Sequence, residues 1–202
     1  MRKLIVLSFI TLDGVMQAPG GPEEDASGSF LLGGWSVPYW DELLETEMSE
    51  QMGHPFDLLL GRKTYDIFEA NWPAIDPENI INKTTKYVVT HKPIPEDSDI
   101  WKNSFKIDGD VAAKIKELKN ETGSEIQVHG SGTIIQILLK HDLVDELWLK
   151  IYPVTLGKGK RLFAEGTIPA AFKLADSKVS PKGVIIIKYQ REGGLKTGSF
   201  QK

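Results

Sequence analysis

Four short apolar runs stand out along the chain: Leu4 to Ile10, Asp57 to Leu60, Lys86 to Thr90 and Ile126 to His129. Each ends in a turn or polar residue and leads toward a helical or loop segment, as buried strands do. The first, third and fourth are rich in Ile and Val, the composition of central parallel strands. A fifth run, Glu146 to Val154, alternates. Leu147, Leu149 and Ile151 face one way, while Trp148, Lys150 and Tyr152 face the other. Phe172 to Val179 and Val184 to Gln190 add two further strands, joined at Ser180-Pro181-Lys182-Gly183, whose proline and glycine suit a hairpin turn.

Between these runs the period changes. Trp40, Leu44, Met48 and Met52 recur every four residues and predict a helix beginning near Ser36-Val37-Pro38. Shorter helices are expected at Arg62 to Ala70, Asp110 to Asn120 and Thr133 to His141. Strands alternating with helices and ending in an antiparallel pair predict a mixed sheet covered by helices. Two segments lack periodicity. Leu12 to Trp35 carries Ala18-Pro19-Gly20-Gly21-Pro22 and Gly33-Gly34, and loops of this length in a compact domain are often lids or binding loops. Asn71 to Thr85 holds two prolines and reads equally well as a surface excursion. At roughly 150 residues per domain, 202 residues with no repeat or linker predict one domain, residues 1–192, with a flexible tail at 193–202.

Composition removes whole classes of function. With 24 Lys and Arg against 28 Asp and Glu, the net charge of −4 does not support bulk binding to nucleic acid. Without cysteine there is no disulfide framework, thiolate nucleophile or Cys-based zinc site. The four histidines are scattered, with no H-x-x-x-H pair, so no metal is expected. Ser131 lacks both outer glycines of G-x-S-x-G, which excludes that hydrolase motif. The apolar start stops at Asp13-Gly14, too short for a signal sequence, and no stretch approaches a membrane span. A soluble cytoplasmic protein is expected.

Chemistry gathers at three strand ends, where open α/β sheets bind ligands. Gly61-Arg62-Lys63-Thr64 puts two cations and a hydroxyl at a helix N-terminus. Thr90-His91-Lys92 follows the next strand, and His129-Gly130-Ser131-Gly132-Thr133 follows the fourth. Any one of these is ordinary turn chemistry. Gly130-Ser131-Gly132 does not complete G-x-G-x-x-G, because Ile135 stands at the third glycine. Three anion sites on neighbouring strand ends suit a dinucleotide with an extra phosphate, NADPH rather than NADH.

Gly61-Arg62-Lys63-Thr64-Tyr65, Val88-Val89-Thr90-His91-Lys92-Pro93 and Val128-His129-Gly130-Ser131-Gly132-Thr133 resemble, in order and spacing, the NADPH-binding segments of dihydrofolate reductases. Thr11-Leu12-Asp13-Gly14-Val15-Met16, Leu143-Val144-Asp145-Glu146-Leu147 and Tyr152 through Phe163 resemble more closely one branch of that superfamily. It is the branch of the reductase domain of the bifunctional riboflavin-biosynthesis deaminase/reductase and of stand-alone bacterial relatives. The resemblance covers roughly residues 2 to 191. It implies a three-layer α/β/α fold with a mixed, mostly parallel central sheet and an antiparallel C-terminal hairpin. It also implies NADPH as cofactor, a small heterocyclic substrate and a homodimer. Gly61, Arg62, Lys63 and Thr64 would meet the phosphates, Thr90 and His91 the adenosine 2′-phosphate, and Gly130, Ser131, Gly132 and Thr133 the pyrophosphate and nicotinamide end. Relatives often have a cis Gly–Gly peptide at this last turn. With Ser131 in second place a cis bond costs about 3 kcal/mol against trans, so either isomer is open.

The substrate side departs from the pattern. Dihydrofolate reductases carry W-x-x-P-x-D/E, whereas Trp35-Ser36-Val37-Pro38-Tyr39-Trp40-Asp41 puts Trp40 at the acid's place. Asp41 comes one residue late, about 100° around a helix, where it offsets the helix dipole. Genuine dihydrofolate reduction is therefore not expected. Asp13 either reaches a substrate or fixes a turn with Gly14, and Asp13 and Asp41 are the acids available as proton donors. Trp40, Lys150 and Tyr152 are the other substrate-side candidates, although an exposed sheet face explains the last two equally well. Trp35, Trp40 and Trp148 could stack on a flat ring or fill the core. Lys158-Gly159-Lys160-Arg161 reads as a ribose-phosphate site or a solvated loop. The expected activity is NADPH-dependent reduction of a pteridine- or pyrimidine-like heterocycle, of the 5-amino-6-(5-phosphoribosylamino)uracil reductase type. The alternative is a protein that keeps the cofactor cleft, or forms a dimer, without turnover.

Overall fold

The computed structural model describes residues 1–94 and 101–200. Eight strands form one sheet in the order β4-β3-β2-β5-β1-β6-β8-β7. They are β1 (Leu4–Thr11), β2 (Phe56–Gly61), β3 (Lys86–Val89), β4 (Ser104–Ile107), β5 (Glu125–Gly130), β6 (Glu146–Tyr152), β7 (Ala171–Val179) and β8 (Ile185–Gly193). All pairings from β4 to β6 are parallel, while β8 pairs antiparallel with both β6 and β7. The expected three-layer, mostly parallel architecture with an antiparallel end is thus the observed one.

The helices divide between the two faces according to which strand residues are apolar. Leu4 and Val6 of β1, Ile126 and Val128 of β5, and Leu147 and Leu149 of β6 pack with α4 (Val111–Asn120) and α5 (Gly132–Lys140). On the opposite face, Phe56, Leu58 and Leu60 of β2 meet α2 (Arg62–Ile75) and α3 (Ile80–Lys83). There Tyr152 also packs near Leu44 of α1 (Glu42–Met52). Alternation along β6 therefore sends three aliphatic side chains to one layer, and Trp148, Lys150 and Tyr152 toward the α1 side.

Several boundaries move for local reasons. The helix expected from Ser36 begins at Glu42, because Trp40 is extended (ψ 132°) and Asp41 caps the first turn; a separate 3₁₀ turn takes Val37–Tyr39. Helix α2 continues past Ala70 and through Pro73 to Ile75, and α3 adds four helical residues to the segment read as irregular. β4 was not foreseen, since only Ile107 of its four residues is buried. β8 runs to Gly193, one residue past the expected domain end, and the last two residues of the expected tail lie outside those described. Among the described residues no helix is long and apolar enough to cross a membrane, and no group of His, Asp and Glu could hold a metal ion.

Candidate active site

A cleft of about 1330 Å³ opens on the α1–α2 side of the sheet. Its floor is made by β1 and β6 at Leu7, Ser8, Phe9 and Lys150, and Met48 and Gln51 of α1 form one wall. The long loop after β1 contributes Met16 to Asp25, while Lys63, Thr64 and the turn Gly130–Thr133 supply the opposite end.

Two helices begin at that end, and they are packed into each other. Gly61 precedes α2 and Ser131 precedes α5, and neither helix has a side-chain cap at its N-terminus. A Cβ on Gly61 would overlap Ser131 Oγ and lie 2.9 Å from Ser131 Cβ. Gly130, at φ +143°, faces Thr64, whose Oγ1 would be 2.8 Å from an added Cβ. Only glycine permits both approaches. The peptide between Gly130 and Ser131 is cis. Two positive dipole ends with uncapped N–H groups thus stand side by side, which is the physical requirement for binding a pyrophosphate.

The cations around this end are engaged within the protein. Lys63 Nζ donates to Asp25 Oδ1 at 2.5 Å, and Lys160 Nζ donates to Asp25 Oδ2 at 2.7 Å. Burial alone would raise the Asp25 carboxyl, but hydrogen bonds from Lys160, Lys63 and Ser27 hold it well below the ordinary carboxylate range. Gln17 ties the loop down, donating to the carbonyls of Asp25 and Ser27 and accepting from the Lys160 N–H. Arg62 turns away from the cleft to Asp66 and to the Pro93 carbonyl, so it sits beside the segment after β3. There Thr90 Oγ1 accepts the Lys92 N–H, and exposed His91 pairs with Asp108 at 2.5 Å. Hydrogen bonds from Lys106 and the Gly109 N–H bring Asp108 to about 2. Lys63, Thr64, Gly130, Ser131, Gly132 and Thr133 line the cleft, whereas Arg62, Thr90 and His91 lie outside its lining.

On the substrate side the structure separates the sequence candidates. Trp40 and Lys150 line the cleft. Asp13 accepts Thr11 Oγ1 (2.5 Å) and the N–H groups of Leu156 (3.2 Å) and Gly157 (2.8 Å), fixing a turn away from the cleft. Asp41 caps α1 by accepting the Leu44 N–H at 3.1 Å. Tyr152 is fully buried among Phe9, Trp35 and Tyr39, and this burial raises its hydroxyl pKa well above the ordinary value. Lys150 is not on an exposed face: it is 1 % exposed, and burial lowers its amine to about 7. Of the three tryptophans, Trp40 is at the cleft, Trp35 is buried with its Nε1 on the Gln17 carbonyl, and Trp148 Nε1 bonds Glu146.

Gln51 and Gln127 were not singled out from the sequence as site residues, and His129 was read only as the first residue of the strand-end segment His129 to Thr133. Lys150 Nζ donates to Gln51 Oε1 at 2.6 Å, Gln127 Nε2 donates to the Gln51 carbonyl at 3.1 Å, and His129 Nε2 lies 3.2 Å from Gln127 Oε1. Burial, and then the Lys150 charge, bring His129 down to about 4, so its imidazole is neutral at pH 7. A signal was present: Gln127 and His129 alternate with Ile126 and Val128, which puts polar groups on one face of a central strand.

Comparison with known proteins agrees with this architecture. The chain is 25% identical to the uncharacterized protein YyaP of Bacillus subtilis over 199 residues, 95% of this chain and 96% of that protein. It is 31% identical to YwjB of the same organism over 121 residues, 60% of this chain and 66% of that one. Its fold is similar to a putative riboflavin biosynthesis protein from Shewanella sp. PV-4 (TM-score 0.67, 21% identity, 94% and 99% of the two chains). It is also similar to a dihydrofolate reductase from Enterococcus faecalis solved with NADP(H) (TM-score 0.58, 14% identity, 94% and 96%). The RibD C-terminal domain family matches residues 2–186, nearly the whole chain, and the protein belongs to that family.

Proposed function

We propose that this protein is an NADPH-dependent reductase acting on a pteridine- or pyrimidine-like heterocycle, of the 5-amino-6-(5-phosphoribosylamino)uracil reductase type. Membership of the RibD C-terminal domain family supports an oxidoreductase in general. The observation that carries the reading is the pair of uncapped helix N-termini packed together through Gly61 and Ser131 at one end of a large cleft. That cradle fits a nicotinamide dinucleotide. Lys63, Thr64 and Gly130 to Thr133 would hold its pyrophosphate and nicotinamide end, with Arg62, Thr90 and His91 near the 2′-phosphate. When bound, the cofactor supplies a hydride. The chain supplies orientation, exclusion of water by the Met16–Asp25 loop, and for the acceptor a floor of Phe9 and Lys150 with Gln51 on the adjoining wall. Residue Trp40 at the cleft in place of a carboxylate argues against folate as the substrate. A homodimer pairing through the sheet belongs to the same reading, with β7 as the edge strand.

The test is NADPH oxidation, followed at the nicotinamide absorbance, with 5-amino-6-(5-phosphoribosylamino)uracil and with 7,8-dihydrofolate. Turnover of the first, at least about tenfold above the second in kcat/KM, is expected. Cofactor binding without oxidation in the presence of either would favour the non-catalytic alternative.

A further inference from the structure

Reduction of a C=N or C=O group adds a proton as well as a hydride, and the cofactor accounts only for the hydride. Asp13 and Asp41 are committed to a turn and a helix cap outside the cleft. We propose that Lys150, positioned by Gln51, is the general acid that protonates the substrate heteroatom at the cleft floor. The proposal rests on the reductase reading above.

The geometry singles this lysine out. Nζ has three N–H donors, and Gln51 Oε1 takes one of them. That bond fixes the Gln51 amide so that Oε1 faces Lys150, and its Nε2, in a side chain 2 % exposed, has no partner. The floor therefore presents unsatisfied donors from two neighbouring buried groups, an arrangement that costs stability unless a ligand supplies acceptors. Lys86 is the contrast. It is as deeply buried and, like Lys150, makes one hydrogen bond (to the Asn82 carbonyl at 2.7 Å) and lies near a ring (Trp101 at 4.5 Å, as Lys150 lies 5.9 Å from the Phe9 ring), but it sits away from the cleft.

The surrounding charges suit an acid that works near neutrality. Helix α1 offers Glu47, held by Lys178 and lying 3.6 Å from Lys188; β8 offers Lys188; β5 offers neutral His129; β1 offers only Phe9 and Ser8. Burial lowers Lys150 to about 7, Lys188 pushes the same way, and Glu47 opposes. Such an ammonium is present at neutral pH and releases its proton readily.

The step balances as follows. The substrate carbon gains a hydride from the reduced nicotinamide, which leaves oxidised. The π pair of the C=N or C=O bond moves onto nitrogen or oxygen, and that atom takes a proton from Lys150 Nζ. The neutral amine is reprotonated from water.

The test measures single-turnover NADPH oxidation with 5-amino-6-(5-phosphoribosylamino)uracil from about pH 5.5 to about pH 9. Beside it, the Lys150 amine of the cofactor-free protein is titrated by NMR on ¹³Cε-labelled lysine. The wild-type rate is expected to fall as pH rises through about 7, and the amine to titrate at the same place. Lys150→Met should slow the step about 100-fold and abolish the basic limb, with NADPH affinity unchanged. Lys150→Arg should stay slow, because arginine does not release its proton. Gln51→Glu should move the limb upward by pairing a carboxylate with the ammonium. Lys86→Met should leave rate and profile unchanged. A Lys150→Met protein with wild-type rate and limb, or an amine titrating near its ordinary value, overturns the proposal and leaves the reductase reading standing. Wild-type protein that oxidises no NADPH with this substrate or with dihydrofolate overturns the reading, and the proposal with it.

Discussion

Helices α1, α3 and α4 each begin at a side chain that accepts a first-turn N–H: Asp41 from Leu44, Asn79 from Ile81, Asp110 from Ala113. Helices α2 and α5 begin at Gly61 and Ser131 with no such acceptor, and these two meet at the cleft. Buried polar side chains divide less cleanly. Arg2 is held by Asp57 and the Ser124 carbonyl, and Lys119 by Asp145 and the Leu143 carbonyl. At the cleft floor, Gln51 Nε2 has no partner and Lys150 has one. Among the described residues the Tyr65 and Tyr152 hydroxyls and Glu47 Oε2, outside the cleft lining, also lack hydrogen-bond partners, and Lys86 has one hydrogen bond as Lys150 does. What is particular to the cleft is that two such groups, Gln51 and Lys150, are neighbours there. Open buried donors are costly, and the neighbouring pair at Gln51 and Lys150 stands where a ligand in the cleft can supply acceptors.

The largest test of this contrast is stability. Unfolded, the Lys150 amine titrates near 10.5; folded, it titrates at about 7. Between those values the unfolded chain binds the extra proton, so folded stability rises with pH across the window, and below pH 7 the full cost is present. Lys150→Met should therefore stabilise the protein by on the order of 4 kcal/mol at pH 6, the gain fading toward pH 10.5, as read from urea melts at several pH values. Ser131→Asp supplies α5 with the cap it lacks. It should raise Tm while weakening NADPH by at least about tenfold, since a carboxylate then occupies the proposed anion site. Removing a cap elsewhere should do the reverse: Asp110→Ala costs about 1 kcal/mol of stability and leaves NADPH affinity unchanged. The smallest effect is expected at Asp25. Asp25→Asn frees Lys63 and Lys160 for cofactor phosphate and should tighten NADPH by up to about fivefold in a fluorescence titration, the worth of a partly exposed ion pair.

What the sequence revealed depended on how completely each element is buried. The central strands β1, β2, β3 and β5 read as apolar runs because both sheet faces are covered. β4 escaped because it is a four-residue edge with Phe105 more than half exposed. The start of α1 was misplaced because Trp40 continues the apolar stripe while its extended backbone lies outside the helix; Asp41, a strong N-cap type, was the better marker. The end of the cleft formed by Lys63, Thr64 and Gly130 to Thr133 was legible as a place because glycine, hydroxyl and cation cluster in short segments at strand ends. Contact between those segments was not, since Gly61 meeting Ser131 depends on the sheet placing β2 beside β5. The floor was half legible: alternation in β6 put Lys150 on a face with Trp148, but only the fold shows that α1 closes over it and that Gln51 meets its Nζ.

The most direct measurement is a titration of the purified protein with NADPH and, separately, with NADH, following nicotinamide fluorescence in wild type and Arg62→Ala. Micromolar NADPH binding, at least about tenfold weaker for NADH and lost in Arg62→Ala, is the predicted result. Equal binding of both nucleotides, or binding of neither, would contradict the assignment of this cleft to NADPH.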